Sequence, residues 1–478
     1  MNYKRILRTL GIVLCFESAL MVAPLICAII YKEPEVFDFL KSILICLSFG
    51  GLLLLLKTKN KNIYSKDGFV IVALSWIVMS IFGALPFVIS GSIPDFIDAF
   101  FETASGFTTT GASILKDVET LPKSILFWRS FTHWIGGMGV LVFLVALLPL
   151  SGGNNLYLMK AESTGPAVSK LVPKVKSSAK ILYGLYIGMS VILIVLLLAG
   201  GMNIFDALIH TFGTAGTGGF GIRNNSVAGY SSYHQIVITV FMVLFGIDFS
   251  VYYLLLLGKF KLMLQSDEVK TYIGIILVSM LIICINCVNI FGNVWESLKH
   301  SAFQVSSIIT TTGFSTYDFD TWPALSKCIL VILMFVGACA GSTGGGIKVS
   351  RILIYLKSIK KEVSIASHPK LTKKIQMSGR TIEHETVRNV NVFMAAYLVV
   401  FVTSVLLVSL DNFDFTTNFT AVAATLNNIG PGLGLVGPTS NFSGYSDFST
   451  LVLTFDMLIG RLEVFPMLVL FSPYTWKK

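Results

Sequence analysis

Four short turns rich in threonine, asparagine and glycine recur along the chain, and they constrain its fold more than any other feature. They are Thr108–Ser113, Gly216–Phe220, Thr310–Ser315 and Asn427–Gly432. Aligned on one glycine in each turn, the copies lie about 90 to 120 residues apart, which is a fourfold internal repeat. These glycines are Gly111, Gly219, Gly313 and Gly430. A single turn of this kind would be an ordinary turn in a loop. Four copies at matched positions predict a repeated structural unit.

Each turn has the same surroundings: a long apolar run, a short semi-apolar segment, the turn, and a second apolar run. Irregular backbone at membrane depth occurs only where it is buried in protein or lines a water-filled cavity. Glycine tolerates positive φ and has no side chain to block an axis. Four such loops around one axis would therefore offer main-chain oxygens that replace the water shell of a cation.

The composition fits this reading. Of 478 residues, 54% are hydrophobic and only 13% are charged, and the mean hydropathy is +0.77, so we expect a polytopic membrane protein built of helices. The net charge of +10 does not indicate nucleic acid, because most basic residues lie in alternate loops, as positive-inside topology requires. The seven cysteines are scattered mainly through apolar runs, and Cys284 and Cys287 favour helix packing over redox chemistry.

The predicted fold is an all-α polytopic membrane protein. Four tandem repeats of helix, re-entrant pore loop and helix surround one pseudo-fourfold pore, preceded by an N-terminal two-helix hairpin. The predicted units are residues 1–66 (hairpin), 67–160 (repeat 1), 161–266 (repeat 2), 267–380 (repeat 3, with a gating loop) and 381–478 (repeat 4). We expect ten spanning helices, with both termini in the cytosol. The first apolar stretch has no clear cleavage site, so it is expected to be a retained helix.

Short segments before the turns predict half-helices that enter from outside. They are expected at Pro94–Phe107, Phe205–Thr214, near Lys299–Ile309 and about Thr416–Leu426. Their C-terminal ends would point their negative partial charge at the pore centre and favour a cation there. The second helices of the repeats are expected at Leu126–Leu150, Ile236–Leu264, Ala324–Tyr355 and Phe448–Phe471.

The outer loops hold many acidic residues, which predict an acidic vestibule that concentrates cations. The set is Asp95, Asp98, Glu102, Asp117, Glu119, Asp206, Glu296, Asp318, Asp320, Asp411 and Asp414. Taken singly, each is as readily a solvated loop residue or a helix cap, the role expected for Asp98 and Asp206.

A glycine-rich run interrupts the second helix of repeat 3. It comprises Gly341, Ser342, Thr343, Gly344, Gly345 and Gly346, followed by Ile347 and Lys348. Each glycine costs about 1 kcal/mol in a helix interior, so the run predicts unwound backbone of the kind that marks a transport path or a moving part. A close-packing glycine face is the structural alternative. The run is not a phosphate-binding loop, because Ile347 separates the lysine from the last glycine and no Ser or Thr follows Lys348.

Arg461 lies midway along the last apolar run. An arginine at the bilayer centre costs at least about 2.5 to 3.5 kcal/mol unless it faces a partner or a cavity. One interpretation is a positive charge beside the pore that holds the glycine loop through its carbonyls. The alternative is a simple pair with Glu463 or Asp456.

Other intramembrane polar residues leave alternatives open. Asp248 and Glu17 are each either a coupling-ion site or a protonated packing group. His133 is expected to be a hydrogen-bonded interfacial histidine. The letters from Gly432 to Gly437 match G-x-G-x-x-G, but they follow a pore turn rather than a strand, so no nucleotide site is expected.

The chain resembles the Trk/Ktr/HKT potassium-uptake superfamily, and within it the TrkH/TrkG-type membrane subunit of bacterial Trk systems. The resemblance covers essentially the whole chain. It is carried by the Thr-Thr-Thr-Gly turns, His133–Gly139, Gly341–Lys348, Asn427–Gly434 and Gly460–Glu463. The N-terminal hairpin favours this branch over the shorter KtrB-like one.

The resemblance implies a K⁺ filter, a gate and partners. The filter residues would be Thr109, Thr110, Gly111, Thr217, Gly218, Gly219, Thr311, Thr312, Gly313, Asn428, Ile429 and Gly430, and the gate would be Gly341–Gly346, Lys348 and Arg461. It further implies potassium ion as substrate, no covalent cofactor, no enzymatic activity, and a homodimer in the bacterial cytoplasmic membrane. A cytosolic nucleotide-binding regulatory ring (RCK-type, TrkA-like) would bind the nucleotide.

Two departures from the family pattern affect these expectations. The second turn has Gly216 where the first and third have threonines. This is expected to loosen the side-chain support of one quarter of the filter and to make its selectivity for K⁺ over Na⁺ less certain. Asp248 stands where the family predicts asparagine.

A K⁺-translocating subunit of an ATP-driven pump is the alternative function, although the Lys-rich stretch 357–388 suits a soluble regulator better. A membrane enzyme has no support from paired carboxylates, a metal cluster or a nucleophile triad.

Overall fold

The computed structural model describes residues 1–57, 65–139, 175–369 and 374–476, and within these ranges helices predominate. In chain order the helices are α1 (Tyr3–Leu20), α2 (Val22–Tyr31), α3 (Val36–Leu54), α4 (Ser65–Gly83), α5 (Leu85–Ile89), α6 (Phe96–Phe107), α7 (Lys123–Gly137), α8 (Val175–Ala199), α9 (Ile204–Gly216), α10 (Ser232–Phe245), α11 (Phe249–Leu256), α12 (Phe260–Leu264), α13 (Asp267–Phe291), α14 (Val294–Ile309), α15 (Ala324–Val336), α16 (Val349–Ser367), α17 (His384–Val408), α18 (Phe415–Leu426), α19 (Asp447–Arg461), α20 (Phe465–Phe471) and α21 (Pro473–Trp476). Strands β1 (Gln376–Met377) and β2 (Arg380–Thr381) form a small antiparallel hairpin.

The N-terminal hairpin packs through two glycines. Helices α1 and α2 together form one apolar segment, Tyr3–Tyr31, long enough to span a membrane. Gly11 and Gly50 face each other, and a Cβ on either would lie within about 3 Å of the other's carbonyl oxygen. Small residues allow this close approach of two membrane helices, in which packing rather than the hydrophobic effect drives association. The hairpin predicted from the sequence is present, and its second helix, α3, begins at Val36.

The four expected half-helices are present as α6, α9, α14 and α18, of 12, 13, 16 and 12 residues. A helix needs about 20 residues to cross a bilayer core, so each is too short to span. Each follows a long apolar helix in the chain: α4, α8, α13 or α17. The order of helix, half-helix and second helix therefore recurs four times in the described residues.

The second helices are more broken than the sequence indicated. Only the third was expected to be interrupted, yet α10 and α11 meet at 91° after a break at residues 246–248, and α19 ends at Arg461 before α20 begins at Phe465. Gly246 and Asp248 end one helix and cap the next, while Glu463 and Val464 adopt positive φ before Pro466. The continuous helices expected at Ile236–Leu264 and Phe448–Phe471 were wrong in this respect, because these local signals override the apolar pattern.

In the described residues, six helices are long and apolar enough to span a membrane, or seven if the bent pair counts as one span. The other second helices are α7, α15 with α16, and α19 with α20. In the described residues, none of them is a single helix both long and apolar enough to span a membrane. The span expected at Leu126–Leu150 is described only as far as residue 139, where α7 has already ended at Gly137. The lysine-rich loops expected around residues 59–61 and 160–174, and the C-terminal Lys477 and Lys478, lie outside the described residues. Ten spans therefore stay a prediction.

Glu33 joins the N-terminal hairpin to the first repeat. Its carboxylate accepts hydrogen bonds from the backbone N–H groups of Lys123 (2.8 Å) and Ser124 (2.9 Å) at the start of α7. These two donors have no partner within the helix, and α7 has no side-chain cap of its own. Lys123 also places its ammonium 4.0 Å from the centre of the Tyr31 ring. The hairpin thus supplies the N-terminal cap of a helix in another unit.

We expect Glu33→Ala to lower the free energy of unfolding by about 1 kcal/mol, the usual cost of losing a helix cap. The measurement is the midpoint of thermal unfolding of the purified protein, followed by tryptophan fluorescence. Lys41→Ala is the control, because it removes only an exposed pair with Asp38 and such pairs contribute little. Equal midpoints for the two variants would contradict the capping role.

Candidate cation pathway

The four turns share one backbone conformation. One or two residues after each half-helix ends, a residue adopts left-handed φ, and a glycine with positive φ follows two residues later. The pairs are Thr109 (57°) and Gly111 (82°), Thr217 (55°) and Gly219 (78°), Thr311 (59°) and Gly313 (83°), and Asn428 (56°) and Gly430 (101°). In every copy the residue between them donates its N–H to the carbonyl five residues earlier, at 2.8 to 2.9 Å. This is the Schellman end of a helix.

Three of the left-handed positions carry threonine, which is unusual. A β-branched residue rarely adopts positive φ, because its Cβ crowds the neighbouring carbonyl. Such backbone strain persists only where the surrounding structure imposes it, and it clusters at functional sites. The repetition of the same strained conformation in three copies, with asparagine in the fourth, marks these turns as a candidate site.

The four turns contact one another in a closed ring, which we call the glycine ring. A Cβ built on Gly111 would collide with the carbonyl oxygen of Gly218. One on Gly219 would collide with that of Thr312, one on Gly313 with that of Ile429, and one on Gly430 would lie 2.8 Å from that of Thr110. Each glycine thus packs on the main chain of the next turn, and the fourth returns to the first. The threonines and asparagines of the turns are fully buried, so the turns do not face lipid.

The half-helices direct their C-terminal ends at this ring. Their N-termini are capped at the far end by Asp95, Asn203, Asn293 and Asp414. The C-terminal end of a helix carries about half a negative charge, so four such ends favour a cation at the ring. The caps expected at Asp98 and Asp206 were wrong: these residues lie in the first turn, and the caps are the short polar residues three positions earlier, whose side chains reach the free N–H groups.

His133 explains the unusual second turn. Its ring fills the space where a side chain at 218 would lie, and a Cβ on Gly216 would collide with the backbone carbonyl of His133. Its Nδ1 lies 2.8 Å from the carbonyl oxygen of Gly106, and its Nε2 accepts the N–H of Phe220 at 3.2 Å. The histidine thus packs against this turn where the first and third turns carry threonine side chains, and the expected effect on K⁺ over Na⁺ selectivity stays a prediction. The residue is hydrogen-bonded, as expected, but lies fully buried rather than at the interface.

A buried ion pair supports the residues at and just after the ends of the first two turns, and sequence reasoning missed it. Glu102 was counted among outer-surface acids, yet it is 1% exposed and binds Nε of Arg129 at 2.6 Å. The carboxylate also accepts from Ser113 and from the N–H of Ile114, just after the first turn. Arg129 donates to the carbonyl oxygen of Gly221, after the second turn. The only sequence signal was that both charges lie among apolar residues.

A cavity of about 140 Å³ is lined on one side by the four ring glycines. The charged side chains that line it are Lys116, Arg129 and Arg223, and none of its described lining residues is Asp or Glu. In the described residues, none of the expected outer acids lines this cavity directly, but Glu102, Asp117 and Asp318 bind its lining residues Arg129, Asn224 and Thr439. The acidic vestibule therefore stays a prediction. Most of the outer acids have a defined role. Asp95 and Asp414 cap helices. Ion pairs join Glu102 to Arg129, Glu296 to Lys299 and Asp320 to Lys327, and hydrogen bonds join Asp117 to Asn224, Asp206 to Tyr230 and Asp411 to Ser446. The hydrogen bond from Asn224 holds the pKa of Asp117 below its usual range.

The glycine-rich run of repeat 3 lies against the opposite side of the ring. It forms an irregular loop, residues 337–348, between α15 and α16, which we call the intramembrane loop. The N–H of Gly345 donates to Oγ1 of Thr311 at 2.7 Å. A Cβ on Gly345 would lie 2.5 Å from the carbonyl oxygen of Asn427. The loop thus contacts the first residues of the third and fourth turns, whereas the cavity is lined by the ring glycines and the residues after them.

The intramembrane loop is also bonded to the break in repeat 2. Cys339 donates its N–H to the carbonyl oxygen of Gly246 at 3.0 Å, and Phe249 donates to that of Gly341 at 3.1 Å. Lys348 is buried, has a φ of 81° and donates to the carbonyl oxygen of Gly344. The expected unwound backbone is present, and several of its polar groups bind partners in other repeats, which suits irregular backbone in a membrane interior.

Arg461 connects three parts of the site. Its guanidinium donates to the carbonyl oxygens of Gly136 (2.5 Å) and Gly137 (2.9 Å) at the end of α7, and to that of Thr343 in the intramembrane loop (3.0 Å). It also lies 3.4 Å from Oγ1 of Thr109 in the first turn. The interpretation that it holds the loop through carbonyls agrees with these contacts. Glu463 is bound by Arg351 and Asp456 by Ser404.

The remaining polar residues that the sequence singled out have defined surroundings. Asp248 caps α11 through the N–H of Ser250, a role that asparagine would also perform. Glu17 is fully buried, and among the described residues its carboxylate oxygens have no hydrogen-bond partner. The residues from Gly432 to Gly437 form a loop with one 3-10 turn, so they do not link a strand to a helix. Cys284 and Cys287 are free thiols in α13.

Known proteins resemble this chain over its whole length. The TrkH family profile, described as a cation transport protein, matches residues 35–478. The Trk system potassium uptake protein TrkH of Salmonella typhimurium is 36% identical over 100% of both chains, and TrkG of Escherichia coli is 33% identical over 98% of this chain and 97% of its own. The crystal structure of the potassium transporter TrkH from Vibrio parahaemolyticus superimposes with a TM-score of 0.90 at 32% identity, covering 100% of both chains.

The glycine ring predicts a large difference between two glycine substitutions. Gly313 and Gly292 both have positive φ, but a Cβ on Gly313 would meet the neighbouring turn, whereas a Cβ on Gly292 would meet nothing within 4 Å. We expect Gly292→Ala to cost about 1 to 2 kcal/mol of stability from conformation alone. Gly313→Ala should cost clearly more, because the ring cannot close around a methyl group. The loss of stability is measured by the midpoint of thermal unfolding and by the yield of monodisperse protein. Similar values for the two variants would refute the close contact between Gly313 and the neighbouring turn.

Proposed function

This chain belongs to the TrkH family of cation transport proteins, and from that membership we propose that it is a polytopic membrane protein that carries K⁺ into the bacterial cytosol. Its full-length relatives are named as potassium uptake proteins. An inward K⁺ flux gains about 2.3 kcal/mol per charge per 100 mV of membrane potential. The cation itself is the substrate, and the chain needs no covalent cofactor.

The closed contact of four turns is the observation that carries this proposal. Main-chain oxygens of consecutive turns are brought within packing distance around the glycine ring, and four helix C-termini direct negative partial charge to the same place. Such a ring can replace the hydration shell of an alkali ion. We assign the filter to Thr109, Thr110, Gly111, Thr217, Gly218, Gly219, Thr311, Thr312, Gly313, Asn428, Ile429 and Gly430.

The intramembrane loop is proposed as the gate. It lies against the inner side of the glycine ring, where an ion leaving the filter must pass, and Arg461 links it to the first turn and to the end of α7. Opening requires Gly341–Gly346 to move away from the ring. The guanidinium opposes this movement through its bond to Thr343 and places a positive charge beside the path of the cation.

The proposed assembly is a homodimer that docks on a cytosolic nucleotide-binding regulatory ring. The segment that follows the intramembrane loop supports this: α16 runs from the loop to Ser367, and the hairpin β1–β2 follows it in the chain. On the last turns of α16, Lys360 is exposed and Lys361 half-buried. A protein bound there would act on the gate through one continuous helix. On this topology both termini lie in the cytosol.

Flux into liposomes tests the proposed function. The purified chain alone, without ATP, should carry ⁸⁶Rb⁺ or K⁺ down an imposed potential, because the filter and the gate lie within this one polypeptide. Empty liposomes and liposomes with Gly313→Ala protein are the controls. Strict dependence on an added ATPase would instead favour a subunit of an ATP-driven pump.

Removal of the Arg461 guanidinium should raise flux. Arg461→Ala leaves the intramembrane loop without its bond from the guanidinium to Thr343, and shortening Gly344–Gly346 should act in the same direction, by several-fold in the liposome assay. Arg461→Lys, which keeps the charge but cannot bind the same acceptors together, should fall between wild type and alanine. Unchanged flux in both the alanine and the shortened variants, with monodisperse protein, would remove the gate assignment.

A further inference from the structure

A single carboxylate holds both ends of the intramembrane loop. Glu268 lies in the first turn of α13 and is 8% exposed. Its Oε1 accepts the N–H of Ala340 at 2.7 Å and the N–H of Ser350 at 3.1 Å. Ala340 immediately precedes the segment Gly341–Lys348, and Ser350 follows it closely. These two hydrogen bonds therefore hold together the two chain segments on either side of Gly341–Lys348, which we call the neck of the loop.

Glu268 also replaces a missing helix cap. Helix α16 begins at Val349, and its N-cap residue Lys348 makes no side-chain capping bond. The first N–H groups of a helix have no partner within the helix, and a negative group is favoured at this end. Glu268 supplies an acceptor to Ser350 from another helix. The start of α16 and the neck of the loop thus depend on the same oxygen atom.

The preceding residue binds the cytosolic hairpin. Asp267 accepts the N–H of Ser378 at 3.0 Å and the ammonium of Lys357 at 2.9 Å, and its own N–H donates to Oγ of Ser378. Lys357, on α16, also donates to the carbonyl oxygen of Gln376 at 2.8 Å. Ser378 lies in the turn between β1 and β2. The start of α13 is therefore bonded to the hairpin through one residue and to the loop through the next.

We propose that Glu268 is a positioning residue that clasps the intramembrane loop in its closed form, and that Asp267 connects this clasp to the hairpin β1–β2. A force that displaces the hairpin moves the start of α13 and loosens the two bonds at the neck of the loop. The functional part of this inference rests on the proposed gate. The clasp itself is a set of hydrogen bonds that can be measured without any flux.

Hydrogen–deuterium exchange of the full-length protein, read by mass spectrometry in peptides covering residues 338–352, tests the clasp. We expect Glu268→Ala to speed exchange in these peptides about tenfold or more, because two buried amides lose a charged acceptor. Glu268→Gln keeps an oxygen that can accept both bonds, so it should remain within about twofold of wild type. Asp267→Ala should speed exchange in residues 376–381 strongly and in 338–352 by a smaller factor.

Glu385→Ala is the matched control, since Glu385 is an exposed glutamate in the first turn of α17; its exchange should equal that of wild type. If Glu268→Ala protein is not monodisperse, Glu268→Asp takes its place, because a carboxylate one methylene shorter cannot reach both amides. Unchanged exchange in 338–352 for the alanine or aspartate variant would overturn the clasp. Equal acceleration by the glutamine variant would do the same, since the effect would then not depend on an acceptor oxygen.

The flux assay separates this inference from the proposed function. Glu268→Ala should raise ⁸⁶Rb⁺ flux several-fold, as Arg461→Ala should. If Arg461→Ala raises flux and Glu268→Ala does not, the positioning role is overturned while the gate remains. If exchange speeds up as expected but neither variant changes flux, the gate assignment fails and the hydrogen-bonded clasp stands.

Discussion

The glycine ring is the contact on which the rest of the structure depends. Each ring glycine lies so close to a carbonyl of the next turn that no side chain fits between them. Such a contact orients main-chain oxygens with a precision that flexible side chains cannot provide, and it closes only if all four turns adopt the same conformation. The strained threonines that precede the glycines are tolerated because the half-helices and their neighbours fix the turns from both sides.

The surroundings of the ring follow from the absence of water in a membrane interior. Irregular backbone leaves N–H and C=O groups that need partners, and buried polar side chains supply them. His133 bonds the first half-helix to the segment after the second turn, Arg461 binds three carbonyls at the loop and α7, and Glu268 binds both ends of the intramembrane loop. His133 and Arg461 link different repeats, whereas Glu268 links two segments within repeat 3, so each ties a local break in the helices to the packing around it.

These long-range partners were the features that the sequence did not reveal. The half-helices and turns are local, because the N-cap residues, short apolar segments and glycines stand next to each other in the chain, and their positions were predicted closely. Glu102 was instead expected to be an outer acid, and Arg129 was not singled out. Their pairing at 2.6 Å depends on how two helices pack, which periodicity cannot give. The outer acids show the same limit, since several of them bind partners far away in the sequence, such as Asp117 with Asn224.

By itself, the sequence determined that this protein is a helical membrane protein with four repeated turns, because hydropathy, repeat spacing and the conformational freedom of glycine are properties of neighbouring residues. Only the tertiary structure decided which carbonyl each glycine meets, where the second helices break, and which buried charges hold the intramembrane loop. Those choices depend on close packing and on hydrogen bonds between segments far apart in the chain, such as Glu268 with Ala340 and Ser350. Their geometry exists only once the repeats have assembled around the glycine ring.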